Sequence, residues 1–180
     1  MSSTADVVVI GAGPAGDVTG RVMLASEAIR DGYVAATNAV RGSLLPVTDH
    51  LIPAGSFTDP EYASVGLTEK KARETHNVVT AVSYYSAAVR GIIDGQSTGF
   101  CKLIVDEATT EILGCHVVGE QATNVVQVAA MALTAGMRRV DDLARAAVSF
   151  PTYAEILIAT AVRAAKKLNL DIGWRTHYTA

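Results

Sequence analysis

Residues 99–120 read GFCKLIVDEATTEILGCHVVGE, and they carry the clearest structural signal in the chain. Phe100 to Val105 and Ile112 to Val118 are two runs rich in β-branched, aromatic and other apolar residues, a composition typical of strands. Segment 106–111 between them is polar and has the length of a hairpin connection. We therefore predict an antiparallel hairpin over these residues.

The sequence before this hairpin predicts one more strand and a short helix. Val78 to Tyr85 is a β-prone run. Thr68 is a suitable N-cap for a short helix through Glu74, with an acidic residue in the first turn to complement the helix dipole. Segment 53–60 is rich in turn-forming residues, and 42–55 is the only linker-like stretch.

The sequence after the hairpin predicts three helices. The first spans Gln121 to Ala135 and stops at Gly136, a short second one starts at 141–142, and the last spans Tyr153 to Leu168. Strands grouped together and followed by helices indicate an α+β fold, in which helices cover an antiparallel sheet.

The last predicted helix is apolar on more than one face, since segment 156–165 contains few polar residues. Such a helix must be buried on both sides. Its second side could be covered by another subunit in a symmetric dimer, or by the helix that starts at Gln121. The periodicity alone leaves both arrangements open.

The N-terminus has the pattern of a nucleotide-binding βα unit. Asp6 to Ile10 is a β-branched run typical of a buried parallel strand, and Gly11, Gly13 and Gly16 follow as a G-x-G-x-x-G turn. Such a turn places a pyrophosphate at a helix N-terminus. However, Val22 to Arg41 reads as a helix with no second strand behind it. A cofactor site and a glycine turn retained without binding are therefore both possible.

Composition excludes several classes of function. The chain has 180 residues, about one domain with a short appendage, and its 15 basic and 18 acidic residues give a formal charge of −3. We therefore expect neither nucleic acid nor a membrane surface as a partner. The hydrophobic fraction is 49%, yet no apolar run reaches the roughly 18 residues of a membrane helix. Two cysteines and no secretory leader predict a reducing, cytoplasmic location.

Two further segments near the N-terminus, GDVTGRVMLASEA at 16–28 and GYVAATN at 32–38, resemble the second FAD motif of the pyridine nucleotide-disulfide oxidoreductases. This family includes dihydrolipoamide dehydrogenase, glutathione reductase and mercuric reductase. The resemblance implies FAD as the cofactor. The residues that it assigns to FAD are Gly11, Gly13, Gly16, Asp17, Met23, Leu24 and Ala25.

The rest of the chain resembles the interface domain of the same family, in family order, at 57–69, 99–106, 111–120 and 150–155. The resemblance implies an FAD/NAD-linked reductase dimerisation domain at 45–180, preceded at 1–44 by a remnant βα unit of a Rossmann-type FAD domain. We expect a homodimer built on the C-terminal domain. The family's redox-active Cys-x4-Cys pair and NAD(P) domain have no counterpart here, so a truncated relative is expected.

The family's His-Pro-Thr-x-x-Glu signature appears here as Phe-Pro-Thr-Tyr-Ala-Glu, with Phe150 in place of the histidine and Glu155 retained. Phenylalanine carries no titratable proton, so acid/base work of the family type cannot be assigned to it. Glu155 is the single catalytic candidate. Two hypotheses follow: a relative with the parent hydride transfer from NAD(P)H through FAD to a disulfide or other acceptor, or a nonenzymatic module that pairs with a full-length homologue.

The cysteines and histidines predict neither a redox site nor a metal site. Cys101 and Cys115 lie in the two predicted hairpin strands, where cysteines are usually buried apolar residues. His116 in the same strand is expected to be packed rather than to bind a metal. The remaining histidines lack Cys, Asp or Glu partners at metal-site spacing, so no metal is expected.

Overall fold

The computed structural model describes residues 24–42, 45–46 and 51–176. The chain divides into two compact units between Ile52 and Pro53. The predicted first strand and glycine turn, which include Gly11, Gly13 and Gly16, lie outside the described residues, as do Asp17 and Met23.

Helix α1, Ala25–Arg41, is the described element of the first unit. It begins after Leu24, whose backbone is extended, and it ends at Gly42, whose φ of 85° favours glycine. The Asn38 side chain forms two hydrogen bonds with the backbone of Leu45. Asn38 Nδ2 donates to the Leu45 carbonyl at 2.8 Å, and the Leu45 N–H donates to Asn38 Oδ1 at 2.9 Å. The helix predicted through Arg41 is confirmed from Ala25 onward.

The second unit is built on a five-stranded antiparallel sheet with strand order β1-β2-β5-β4-β3. Its strands are β1 Ala54–Ser56, β2 Tyr62–Gly66, β3 Val78–Tyr84, β4 Phe100–Asp106 and β5 Ile112–Val118. The hairpin predicted from residues 99–120 is confirmed as β4 and β5. It contributes two of the three inner strands, so both of its strands are paired on each side.

Strands β1 and β2 were not predicted. Segment 53–60, which we expected to form turns, contains β1, and β2 follows it with the sequence Tyr-Ala-Ser-Val-Gly. Ala, Gly and Ser have weak strand propensity, so neither segment signals a strand by composition. Pairing of β2 with β5 and burial of Ala63 and Val65 override that local preference.

The helices of the second unit are confirmed where they were predicted, with one addition. They are α2 Glu69–Ala72, α3 Val89–Ile93, α4 Ala122–Thr134, α5 Val140–Arg145 and α6 Glu155–Lys167. Two 3-10 turns lie at Tyr85–Ala87 and Gly173–Arg175. Thr68 caps α2 as expected, since its Oγ1 accepts a hydrogen bond from the Lys71 N–H at 3.3 Å. Helix α3 and both 3-10 turns were not predicted.

Helices α4 and α6 pack on one face of the sheet, and the core lies between them and the strands. Helix α4 contacts β2 and β5, whereas α6 contacts β3 and β4. The buried side chains of this core include Val65, Leu103, Cys115, Val126 and Leu157. The α+β prediction is therefore confirmed.

The apolar faces of α6 are covered within the chain. One side lies on the sheet, and α5 packs extensively against the other, with a smaller contribution from α4. Of the two arrangements that the sequence left open, the intramolecular one accounts for this burial, although the main covering helix is α5 rather than α4. The apolar character of α6 therefore does not by itself require a second subunit.

Two basic side chains contact backbone carbonyls along the outer edge of β3. Nζ of Lys167 donates to the Thr80 carbonyl at 2.8 Å, and Nη1 of Arg73 approaches the Val78 carbonyl at 3.5 Å. In an antiparallel ladder alternate residues direct both backbone groups away from the paired strand. The carbonyls of Thr80 and Val78 therefore point away from β4, and without Lys167 and Arg73 they would be exposed at the edge of the sheet.

No helix among the described residues is both long and apolar enough to cross a membrane.

Candidate functional site

The segment that precedes α6 places Phe150 and Glu155 beside the same cavity. Phe150 is followed by a cis peptide bond to Pro151, and Thr152 Oγ1 donates to the Ser149 carbonyl at 2.8 Å. The Phe150 side chain is 66% exposed, while Glu155 is half-buried at the first residue of α6. The structure therefore brings together the two positions that the sequence motif singled out.

The cavity has a volume of about 310 Å³ and lies between the end of β3, the start of α3 and the first turns of α6. Its lining is mostly apolar, and α6 contributes Ile156 and Ala159 to it. The polar residues in the lining are Ser83, Tyr84, Glu155 and Arg163. A largely apolar cavity with a few polar groups has the usual composition of a small-molecule site.

Ser83 is the buried polar residue of this cavity. Its side chain is 4% exposed, and among the described residues its Oγ has no hydrogen-bond partner. Positions Ala81 and Ser83 both face the helices, so Ser83 stands where the alternation of β3 calls for an apolar residue. In the sequence, the only signal for Ser83 is a hydroxyl residue at a strand position where the alternation predicts a buried, apolar side chain.

A second group of polar side chains joins α3 to α6. Tyr153 donates its hydroxyl to Asp94 Oδ2 at 2.9 Å, and Arg90 Nε donates to the same oxygen at 2.7 Å. The hydrogen bond from Arg90, followed by that from Tyr153, lowers the pKa of the Asp94 carboxyl below its usual value. Burial, reinforced by the Asp94 carboxylate, raises the pKa of Tyr153 to about 12. This network holds α3 in place at one side of the cavity.

Tyr85 packs against Tyr153 of this network. Its ring centroid lies 5.8 Å from that of Tyr153, and its hydroxyl donates to the Glu120 carbonyl at 2.9 Å. Burial raises the pKa of the Tyr85 hydroxyl, which keeps it protonated and able to donate. The two tyrosines thus fix the 3-10 turn that leads from β3 into α3.

The remaining candidates behave as packed residues. Cys101 and Cys115 are buried free thiols, as predicted. A hydrogen bond with Cys101, followed by burial, raises the pKa of the Cys115 thiol, which disfavours the reactive thiolate. His116 Nε2 lies 2.9 Å from the Leu67 carbonyl, and this contact confirms the expectation of a packed histidine.

The residues assigned to FAD are only partly described. Leu24 and Ala25 form the N-terminal end of α1, and the other five lie in residues 1–23. The cofactor assignment therefore stays a prediction. Within the described ranges, no group of three or more His, Cys, Asp or Glu side chains could hold a metal ion.

Residues 52–161 match the family model for the pyridine nucleotide-disulphide oxidoreductase dimerisation domain. The chain belongs to this family. The matched residues include the entire sheet, and they extend through Phe150 and Glu155 into α6. The resemblance stated from the sequence is thereby confirmed.

Family relatives of several activities are similar to this chain. Mercuric reductase of Bacillus cereus is 37% identical over 142 residues, which make up 78% of this chain and 22% of that protein. Dihydrolipoyl dehydrogenase of Synechocystis is 36% identical over 147 residues, 79% of this chain and 31% of that protein. This pyridine nucleotide-disulphide oxidoreductase chain thus spans less than a third of the length of these relatives.

Solved structures of other proteins share the fold. LpdA of Mycobacterium tuberculosis matches with a TM-score of 0.73 and 26% identity, over 83% of this chain and 32% of that one. The HOCl-induced flavoprotein disulfide reductase RclA of Escherichia coli, in its Cu(II) complex, matches with a TM-score of 0.73 and 23% identity, over 82% of this chain and 34% of that one. At this identity the RclA match shows the fold alone.

Proposed function

We propose that this chain is the interface part of an FAD-dependent, NAD(P)H-linked oxidoreductase and that it forms a homodimer in the cytoplasm through its second unit. The match of residues 52–161 to a dimerisation-domain model is the observation that carries the proposal. The parent chemistry is hydride transfer from NAD(P)H through FAD to a disulfide or other acceptor.

A group of exposed apolar side chains supports the dimer. Tyr84, Val89 and Phe150 line the mouth of one cavity, and Ile92 and Ile93 continue the surface along α3. Each of these side chains is between 38% and 66% exposed. A concentration of large apolar side chains on one part of a surface is typical of an interaction site. We call it the α3 surface.

The described end of the proposed FAD site fits an electronegative group. Leu24 is extended, and α1 begins immediately after it, so the first N–H groups of that helix have no acceptor within the helix itself. Together with Gly11, Gly13, Gly16, Asp17 and Met23, these residues would hold FAD, whose isoalloxazine ring would supply electron transfer. Their own role is to bind and orient the cofactor.

Phe150 favours a second candidate function. At this position the family signature has a histidine that exchanges a proton with a substrate thiol, and a phenyl ring can neither donate nor accept that proton. Glu155 alone then has no imidazole to orient. A nonenzymatic module that pairs with a full-length homologue is consistent with this substitution.

Sedimentation equilibrium of the full chain from low to high micromolar concentration tests the homodimer. We expect a mass of twice 18.8 kDa. Ile93→Glu places a charge in the α3 surface and should produce monomers, whereas Met131→Glu, at a similarly exposed position on α4, should not. A monomer throughout the concentration range would contradict the proposal.

Two further measurements separate the candidate functions. Flavin absorbance of the purified chain, or its appearance after FAD is added, supports the oxidoreductase. Colourless protein that takes up no FAD, and that dimerises only when it is co-expressed with a full-length homologue, supports the nonenzymatic module.

A further inference from the structure

A row of large apolar side chains crosses the sheet on the face opposite to α4 and α6. Strand pairing places Tyr62 beside Val118, Val118 beside Phe100, and Phe100 beside Tyr84. Side chains of directly paired residues in an antiparallel sheet lie on the same face. Cys101, which follows Phe100, is buried in the core between the strands and the helices, so the four side chains lie on the other face. We call these four residues the cross-strand row.

The cross-strand row is partly open to solvent. Tyr62 is 55% exposed and Tyr84 is 60% exposed, while Phe100 and Val118 between them are half-buried. The two tyrosines stand three strand spacings apart, about 14 Å. Tyrosine suits a protein interface, because its ring is apolar and its hydroxyl can stay hydrated. A concentration of such side chains on one part of a surface is typical of an interaction site.

Polar contacts border the cross-strand row along the strands. His116 and Lys102 are directly paired, and they lie two residues from the row along β5 and β4. His116 Nε2 contacts the Leu67 carbonyl, and Lys102 Nζ forms an ion pair with Glu69 at the start of α2. An apolar centre with a polar border is the usual arrangement of a protein interface.

Tyr84 joins the cross-strand row to the α3 surface. It pairs with Phe100 in the sheet, and it lines the mouth of the cavity together with Val89 and Phe150. The two groups of apolar side chains are therefore continuous around the end of β3.

The chemistry of the row fits a second copy of the chain. A twofold-symmetric interface brings the same patch of both copies together, so a patch with a net charge would repel itself. None of the four side chains of the cross-strand row is charged. Two copies can therefore bury this row against each other without separating or pairing charges.

We propose that the homodimer interface extends from the α3 surface across the cross-strand row as far as Tyr62. This inference rests on the proposed homodimer, and it adds the face of the sheet that the dimer buries. A dimer formed by the α3 surface alone would leave Tyr62 exposed. The proposal requires that Tyr62 is buried when the dimer forms.

Sedimentation equilibrium of Tyr62→Thr in the full chain tests the proposal. Threonine removes the ring but is itself a strand-forming residue, so β2 is retained. We expect the dissociation constant of the dimer to rise about 25-fold, since a twofold dimer contains this position twice and each ring contributes about a factor of five. Met131→Ala truncates a similarly exposed apolar side chain on α4 and should leave the dissociation constant unchanged.

Hydroxyl-radical footprinting of the parent chain measures the burial of the same ring without a substitution. The full chain is oxidised briefly at concentrations below and above the dissociation constant, and mass spectrometry gives the modification rates of Tyr62 and Met131. We expect a loss of reactivity at Tyr62 as the dimer forms and a constant rate at Met131. This measurement decides the question even if Tyr62→Thr fails to fold.

The outcomes separate this inference from the homodimer itself. A parent chain that is monomeric at every concentration overturns both proposals. A dimer in which Tyr62 keeps its reactivity overturns the extended interface and leaves the homodimer intact, and so does an unchanged dissociation constant in Tyr62→Thr. A modification rate of Tyr62 that is equally low at every concentration also overturns the inference, because the ring is then covered within a single chain.

Discussion

At the scale of single residues, Phe150 has the largest consequence for chemistry. One side chain removes the proton carrier from a motif whose other members, Pro151, Thr152 and Glu155, are all present. Phe150 and Glu155 nevertheless line the same cavity, so Glu155 stands near enough for its effect on a histidine at position 150 to be tested. The substitution can therefore be reversed experimentally.

We expect Phe150→His to introduce a histidine whose pKa lies above the usual value of about 6.5, because the nearby Glu155 carboxylate stabilises the charged imidazolium. NMR titration of the imidazole in Phe150→His measures this pKa. The double variant Phe150→His/Glu155→Gln is the control, and its histidine should titrate at lower pH. Identical pKa values in the two variants would show that Glu155 does not act on position 150.

At the scale of helices and strands, Asp94 at the end of α3 joins that helix to α6. It accepts hydrogen bonds from Arg90 and Tyr153, and both lower its pKa. A carboxyl whose pKa is lower in the folded state stabilises the fold above its unfolded pKa, near 3.8, and loses this contribution as the pH falls further.

Asp94→Asn should therefore be less stable than the parent chain at neutral pH, and the difference should shrink below about pH 4. Urea unfolding of both chains at pH 7 and at pH values between 4 and 2 measures it. Asp142→Asn is a control outside the contact between α3 and α6. Asp142 is also a partly exposed carboxyl, but its partner, Arg145, belongs to the same helix, α5. A stability difference that is independent of pH would exclude the ionised carboxylate as its source.

The elements differ in how far the sequence could predict them. The β4–β5 hairpin and helices α4 and α6 have strong apolar patterns of their own, so they were predicted within a few residues. Strand β2 forms because β5 offers a free edge, and β1 forms because it pairs with β2; pairings of this kind leave no periodic pattern in Ala-, Gly- and Ser-rich segments. Helix α3 is short and depends on the contact between Asp94 and Tyr153, which are far apart in sequence.

The candidate site was predictable to a similar extent. Phe150 and Glu155 could be found because they belong to a motif with fixed spacing. Ser83 could not be assigned a role, because the space beside it exists only after β3, α3 and α6 have packed together. Tertiary packing, rather than local sequence, creates the cavity.

At the scale of the whole molecule, self-association should appear in thermal stability. A dimer that forms only from folded chains shifts the folding equilibrium by mass action, so its melting temperature rises with protein concentration. We expect this rise for the parent chain and for Met131→Glu, and its loss in Ile93→Glu. Differential scanning calorimetry over a hundredfold range of concentration measures the effect, and a constant melting temperature for the parent chain would argue against a dimer.

The basic side chains along β3 limit the way in which such a dimer can form. Because Lys167 and Arg73 occupy the carbonyls of Thr80 and Val78, a strand from another molecule cannot pair along this edge without displacing them. The strand at the opposite edge, β1, spans only Ala54–Ser56, so few of its backbone groups could pair with a strand from another molecule. Copies of this chain should therefore join through side chains and not by extending one sheet into the next, a restriction that also protects the folded protein from fibrous aggregation.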